Sequence, residues 1–513
     1  MCAEEKEDII LTFPIIIMRN GGLDGVALQA REYRYLLNKL DIGVYVMTGR
    51  CETKFHTEDP IGHKQLLVPR LDFYHKDSKL LFANQFEYGD EKDGVDEISE
   101  EKWHETFLRH KNKIRDKIDG VLKNIEHNTP VMVYNLISLR HAHPAAALAI
   151  YDLMIKYPNR PFLSHSADPD AERPEKINRI KKSVLPVISA EPYSEEYSGG
   201  PYNLPNLYHI VLNPTQRDNF INKYGIPKDK VFEIPDFLDF PSPEPAYFHY
   251  PKKLFLQFVS ECCLKRTKSG YKYISRNVDK NTVYFISPVR PVYRKCLKES
   301  MLVAQQYGKK YNKDVVYIVT HPDTDDKQYF LETIDFAEQI GLPYYHLGER
   351  FTLGSLDTVY ENMAAVASVG VISSCAGGWE NALNELARAC IPFYMNNKLN
   401  SFIPLTKEIG VETHGTDFMM FTHFISELTP EHLKTSDLSF YPEMKMAIEW
   451  IKKVLENEEE RKRIIEHNYK KAYAYLSYEA TLPKLIDCIQ HIYEQYGCPC
   501  DYKGKLEKFI TKK

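Results

Sequence analysis

A repeated change of period most limits what this chain can fold into. "DIILTFPIIIM" (8–18) is a continuous apolar run, the mark of a strand covered on both faces. "RNGGLDG" follows, then "VALQAREYRYLLNKL" at helical spacing, then a second apolar run, "IGVYVMTG" (42–49). Strand, glycine turn, helix and strand in that order build a parallel sheet with right-handed crossovers. Residues 50–105 are charged and aromatic and read as an insertion or a β-rich lobe. The alternation then resumes. Strands are expected at 130–136, 161–167, 183–190 and 207–213, and helices at 143–157 and 214–225. The last helix has Pro214 at its first position and Gly225 at its stop, the favoured punctuation.

A second series starts after residues 241–280, which are rich in proline, aromatics and lysine and read as a linker leading into a second domain. Strands are expected at 282–290, 314–322, 343–348, 369–374 and 392–396. Helices are expected at 295–308, 328–340 and 356–366, with another starting near Trp379, and 442–513 is mostly helical. A chain of 513 residues exceeds what one core serves. The expected architecture is therefore α/β, with two Rossmann-like doubly wound domains facing a central cleft. The first is 1–240, the linker 241–280 and the second 281–465, while 466–513 forms helices that could cross back to the first domain. In such sheets ligands lie beyond the carboxyl ends of the strands, at switch points. The loops at 19–25, 165–170, 288–295, 321–325 and 374–380 are the places to look.

Composition narrows the class. Lys plus Arg is 66 against 71 for Asp plus Glu, a net charge of −5, which does not describe a general nucleic-acid binder. No apolar run approaches the ~20 residues of a membrane span, and the acidic start lacks the pattern of a secretory leader. A cytoplasmic protein is expected, with its ten scattered cysteines reduced.

The loops carry unequal signals. In "RNGGLDG", Gly21 and Gly22 at a strand-to-helix turn allow close approach of a ligand, with Asp24 beside them; a tight turn alone explains the glycines equally well. In "SPVRPVYRK", Arg290, Arg294 and Lys295 open a helix. Cations there oppose the helix dipole, so an anion is the natural partner, and an Arg fork with a Lys point charge suits a diphosphate. His165 ends an expected buried strand, where a core histidine and a functional one are about equally expected. His143, in "RHAH", and His321 are weaker candidates. "DPD" (168–170) mimics a metal-binding tripeptide through Asp168 and Asp170, but no two of these histidines have metal-ligand spacing. In "SSCAGGWENALNELARACIP" (373–392), Gly377, Gly378 and Trp379 precede a helix with Glu380 in its first turn. Glu385 lies among Leu383, Leu386 and Ala387, and one carboxylate there can accept both hydroxyls of a ribose.

"SPVRPVYRK" followed by "SSCAGGWENALNELARACIP" resembles the donor-binding half of retaining GT-B glycosyltransferases of family four. That family grips the donor diphosphate with an Arg and a Lys five apart, as Arg290 and Lys295 are. Its ribose-binding glutamate lies seven residues before a proline, as Glu385 does before Pro392. Its strand-end histidine, which contacts the reacting sugar, matches His165. "GLDGVALQ", "VYNLISLRHAHPAAALA", "PVRPVYRK" and "WENALNELA" have counterparts in the branch containing mannosylglucosylglycerate synthases. The likeness spans roughly residues 15–400 and omits 50–105.

The resemblance implies an enzyme that moves a hexose from a GDP- or UDP-hexose to a small hydroxyl acceptor, such as a glycerate glycoside or another glycan, with no metal. His165, Arg290 and Lys295 would serve the reaction. Arg290, Arg294, Lys295, Gly377, Gly378, Trp379, Glu380 and Glu385 would hold the donor, and Gly21, Gly22, Asp24 and His143 would line the sugar or acceptor loop. One position departs: the family's first glutamate, which contacts the donor sugar, falls at Gly377, with Glu380 the nearest carboxylate. The rival readings are a non-catalytic nucleotide-sugar binder on the same scaffold and a metal-dependent transferase using Asp168 and Asp170.

Overall fold

A computed structural model describes residues 12–21, 25–39, 43–51, 65–88, 94–125, 127–169, 172, 174–194, 200–245, 253–279, 281–321, 327–348, 356–377 and 379–497. The chain divides into two units, Met1–Phe237 with Tyr478–Lys513, and Leu238–Ser477.

The first unit is built on strands β1 (Thr12–Gly21), β2 (Gly43–Cys51), β3 (Gln65–Leu67), β4 (Val131–Tyr134), β5 (Phe162–His165), β6 (Leu207–Val211) and β7 (Val231–Glu233). They pair in the order β3-β2-β1-β4-β5-β6-β7, every pair parallel. Both faces of the central strands are buried, which is why they read as unbroken apolar runs. Val131 and Val133 join the apolar cluster around helix Pro144–Lys156, while Met132 and Tyr134 join a second one with Tyr33, Leu36 and Leu37. Helix Tyr478–Gln495 supplies Leu482, Leu485 and Ile489 to that second cluster. The strand order reverses between β1 and β4.

The second unit contains β8 (Cys263–Thr267), β9 (Gly270–Ile274), β10 (Val283–Ser287), β11 (Val315–Val319), β12 (Tyr344–His346), β13 (Ser368–Ile372), β14 (Phe393–Asn396) and β15 (His414–Thr416). Their order is β15-β14-β13-β10-β11-β12-β8-β9. The six from β10 to β15 run parallel, and the antiparallel hairpin β8–β9 closes one edge. This order reverses between β10 and β13.

Three segments differ from the sequence reading. Within 50–105, the described part is one short strand and two helices, Lys76–Asn84 and the start of Glu100–Leu122, so no β-rich lobe forms among the described residues. Trp103, Phe107, His110, Ile114, Ile118 and Leu122 are buried at spacings of three and four, a helical stripe diluted by charge. The segment 183–190 is one helical turn, Leu185–Ile188, where a strand was expected. Val184 and Ile188, four apart, are buried, as is Ala190, and Pro186 could not donate to a strand ladder. In 241–280, residues 253–279 are a helix and the β8–β9 hairpin, a part of the second sheet rather than a linker.

Candidate functional site

The second unit's switch point sets the site. The loop after β10 and the loop after β13 leave adjacent parallel strands at their carboxyl ends, where doubly wound sheets bind ligands. Three hydrogen bonds zip them together. Cys375 N donates to Arg294 O at 2.9 Å, Ser373 Oγ to Lys295 O at 2.6 Å, and Arg294 Nη1 to Ala376 O at 2.8 Å. Arg290, Arg294 and Lys295 follow β10; Tyr293–Lys295 forms a 3₁₀ turn before helix Leu297–Tyr311.

Glu380 is the surprise of the site. It caps helix Asn381–Arg388 by position, yet its buried carboxylate turns back onto the cations. The Lys295 ammonium donates to Oε2, and Arg294 Nη1 lies 3.4 Å from Oε1. Burial raises the Glu380 carboxyl, but Lys295 and Arg294 together outweigh it and hold the group below its usual range. Burial pushes the Lys295 ammonium down to about 8, with Arg294 and Arg290 adding to the effect and Glu380 opposing it. His321, just past β11, belongs here too. Burial and the charges of Arg290 and Lys295 press it down to about 3, so it stays neutral. Its Nδ1 meets Thr320 Oγ1 at 2.9 Å.

Gly377 explains how Glu380 reaches inward. Its φ is +154°, and a Cβ there would lie 2.8 Å from Glu380 Oε1. The position without a side chain leaves the space that the carboxylate occupies. Glu380, expected among the donor-binding residues, is held here in an ion pair with Lys295. Trp379 donates through Nε1 to Asn384 Oδ1 at 3.1 Å, bracing the helix start. Further along, Tyr360 OH donates to Glu385 Oε2 at 2.6 Å. Gly378 lies outside the described residues.

In the first unit, His165 ends β5 but is enclosed. Its ring stacks on Tyr134 at 4.8 Å and meets Tyr33 edge-on at 5.8 Å. Nε2 lies 3.3 Å from Asp236 Oδ1, and neither ring nitrogen has a hydrogen-bond partner among the described residues. His143 is buried as the cap of helix Pro144–Lys156: Nδ1 accepts from Ala146 N, and Nε2 donates to Arg70 O at 3.0 Å. Gly21 ends β1 opposite Cys51. Gly22, Asp24 and Asp170 lie outside the described residues. Asp168 accepts from Asn135 Nδ2 at 2.8 Å.

Among the described residues, His75, Asp77 and His110 have ligand atoms within 4.8 Å of one another, a spacing that suits a metal. Arg70 Nη1 already lies 2.7 Å from both Asp77 Oδ2 and His110 Nδ1. Since a guanidinium only donates, His110 Nδ1 accepts and its Nε2 donates to Ser78 Oγ at 3.0 Å. A resident cation fills the point toward which these two groups converge. Charge in this patch left no sequence signal because Arg70 and His110 are forty residues apart. Tyr360 was also missed, lying in a helix of mixed polarity without a motif.

No protein-family model and no curated protein matches the sequence. Solved structures do match in fold. A sucrose-phosphate synthase from Thermosynechococcus elongatus aligns with TM-score 0.58 at 11% identity, over 94% of this chain and 100% of that one. A glycosyltransferase from Rickettsia africae ESF-5 gives 0.57 at 12% identity over 94% and 98%. A UDP-forming α,α-trehalose-phosphate synthase from Burkholderia vietnamiensis gives 0.56 at 11% over 96% and 100%. The chain has the GT-B fold of these glycosyltransferases, two α/β units with parallel sheets. No helix among the described residues is long and apolar enough to cross a membrane.

Proposed function

We propose that the protein is a retaining glycosyltransferase that moves a hexose from a nucleotide diphosphate sugar to a small hydroxyl acceptor. The observation that carries this is the cation cluster at the β10/β13 switch point. Arg290 and Arg294 both act on the Lys295 ammonium, with the carboxylate of Glu380 among them, and a cluster of cations suits a donor's diphosphate diester. Preorganised cations of this kind stabilise charge that develops on a departing diphosphate, and that electrostatic help is often the largest catalytic contribution. Neutral His321 adds a polar group beside them without adding charge.

Glu385, with Tyr360 already on one oxygen, would hold the ribose hydroxyls. The UDP-forming neighbour and the sequence resemblance make UDP- and GDP-hexoses the donors to try, with a glycerate glycoside or another glycan as acceptor. Retention rests on the resemblance, in which the acceptor attacks on the face the diphosphate leaves, so no protein nucleophile is assigned. His165 is not given a sugar contact, because Tyr33 and Tyr134 enclose its ring.

The same observations favour one second reading, a nucleotide-sugar binder without turnover. Gly377 lacks the usual sugar-binding carboxylate, and Glu380 is engaged by Lys295. Calorimetry with UDP-glucose and GDP-mannose, followed by assays for donor hydrolysis and transfer, separates the two. Lys295→Met should lower donor affinity by about 2 kcal/mol or more, as losing a charge-assisted contact does. Unchanged affinity would remove the diphosphate assignment, and tight binding with no turnover would select the second reading.

A further inference from the structure

Two thiols beside the donor loops have no part in that chemistry. Cys296 joins the 3₁₀ turn to helix Leu297–Tyr311 and adopts a left-handed backbone, φ 47°. Cys375 lies in the loop after β13. One carbonyl gathers both: Arg294 O lies 3.3 Å from Cys375 Sγ and 3.9 Å from Cys296 Sγ, and also accepts Cys375 N–H. Both sulfurs thus converge on one backbone oxygen, across the two zipped loops. Cys296 is buried and Cys375 is partly exposed, so one sulfur is open to attack with the other behind it.

We propose that Cys375 and Cys296 form a redox site that reacts with a small-molecule disulfide and closes to an internal disulfide, loosening the grip on the donor. The thiolate is the attacking species, and the neighbouring Cys296 and the charge of Arg294 hold the Cys375 thiol below its ordinary value against the effect of burial. The Cys375 thiolate attacks one sulfur of oxidised glutathione, forming a mixed disulfide and releasing one glutathione thiolate. Cys296 then attacks the Cys375 sulfur, its proton passing to a departing thiolate, and the second glutathione leaves. Two protein thiols are oxidised and one disulfide is reduced to two thiols.

The coupling to the donor is mechanical. A disulfide holds its sulfurs ~2.05 Å apart, closer than two unbonded sulfurs approach, so the turn at 293–296 or the loop at 373–377 must shift. Both position Arg294, whose guanidinium rests on Ala376 O. This second half rests on the donor reading of Arg290, Arg294 and Lys295; the disulfide itself does not.

The intact protein is treated with oxidised glutathione, its remaining thiols are alkylated, and peptides are mapped by mass. A Cys296–Cys375 cross-link that dithiothreitol reverses is expected, and Cys296→Ser should stop at a glutathione adduct on Cys375. Absence of the cross-link in wild type overturns the site. UDP-glucose and GDP-mannose binding is then compared between oxidised and reduced protein, with a loss of about tenfold expected on oxidation. A cross-link with unchanged affinity overturns the coupling. A cross-link in a protein that binds neither donor in either state overturns the donor reading and the coupling, and leaves the dithiol site standing.

Discussion

At the scale of single residues, Lys295 is the group that ties structure to pH. Its ammonium sits near 8, below the ordinary 10.5, because burial and Arg294 outweigh the help from Glu380. On the donor reading, affinity for UDP-glucose or GDP-mannose should be flat from about pH 6 to 7 and weaken above about 8, as the charge is lost. His321 is already neutral across that range and adds no slope. Stability moves the other way. The unfolded chain keeps the lysine proton up to its higher pKa, so Lys295 destabilises the fold most below about 8 and this is relieved toward 10.5. Calorimetric titration across pH checks the affinity, and a constant value through pH 9 would discard the role of Lys295. Gly377→Ala is the second residue-scale prediction. The new Cβ would meet Glu380 Oε1 at 2.8 Å in a backbone that side chains rarely adopt. A loss of about 1–3 kcal/mol in urea unfolding is expected, and an unchanged midpoint and slope would contradict it. These residues show what was legible. The clustering of Arg290, Arg294 and Lys295 was readable because they lie within one short segment. The Glu380–Lys295 pair joins residues eighty-five apart, and no local spacing encodes it.

At the scale of elements, apolar runs with both faces buried announced themselves, as in β4, β6, β10 and β11, whose residues are all buried. Elements whose signal is a sparse stripe did not. Helix Glu100–Leu122 hides eight buried positions among charges, and the turn Leu185–Ile188 has a strand's composition with a helix's spacing. The long helix also depends on a distant group. Buried Arg160 ties down the helix's last residue and the chain just past it: Nη2 donates to Leu122 O at 3.0 Å and Ile125 O at 2.9 Å, and Nη1 to Thr129 O at 3.3 Å. Arg160→Leu should lower stability by about 2–4 kcal/mol, since it removes three hydrogen bonds from a charged donor at once. Chemical denaturation with a fluorescence readout measures it, and a change under about 0.5 kcal/mol, as at an ordinary surface site, would refute the staple.

At the scale of the whole molecule, the path of the chain matters more than any motif. The first unit is interrupted after Phe237, and the chain returns to it only at Tyr478. The returning helix, Tyr478–Gln495, buries Leu482, Leu485, Ile486, Ile489 and Ile492 against Tyr33, Leu36, Leu37 and Phe237. Five aliphatic side chains at about 1.5–3 kcal/mol each match the whole ~5–15 kcal/mol by which a typical domain is stable. The first unit therefore cannot hold its fold on residues 1–237 alone. The second unit, Leu238–Ser477, has no such debt to the last helix. A chain truncated after Ser477 should separate the two. In hydrogen exchange, amides of β4, β5 and β6 should lose protection, while those of β10, β11 and β13 keep it. On the donor reading, the truncated chain should also retain UDP or GDP binding at the β10/β13 loops. Native protection in β4 to β6 after truncation would show that the returning helix only decorates the first unit. Loss of protection in both sheets would show that the units fold as one.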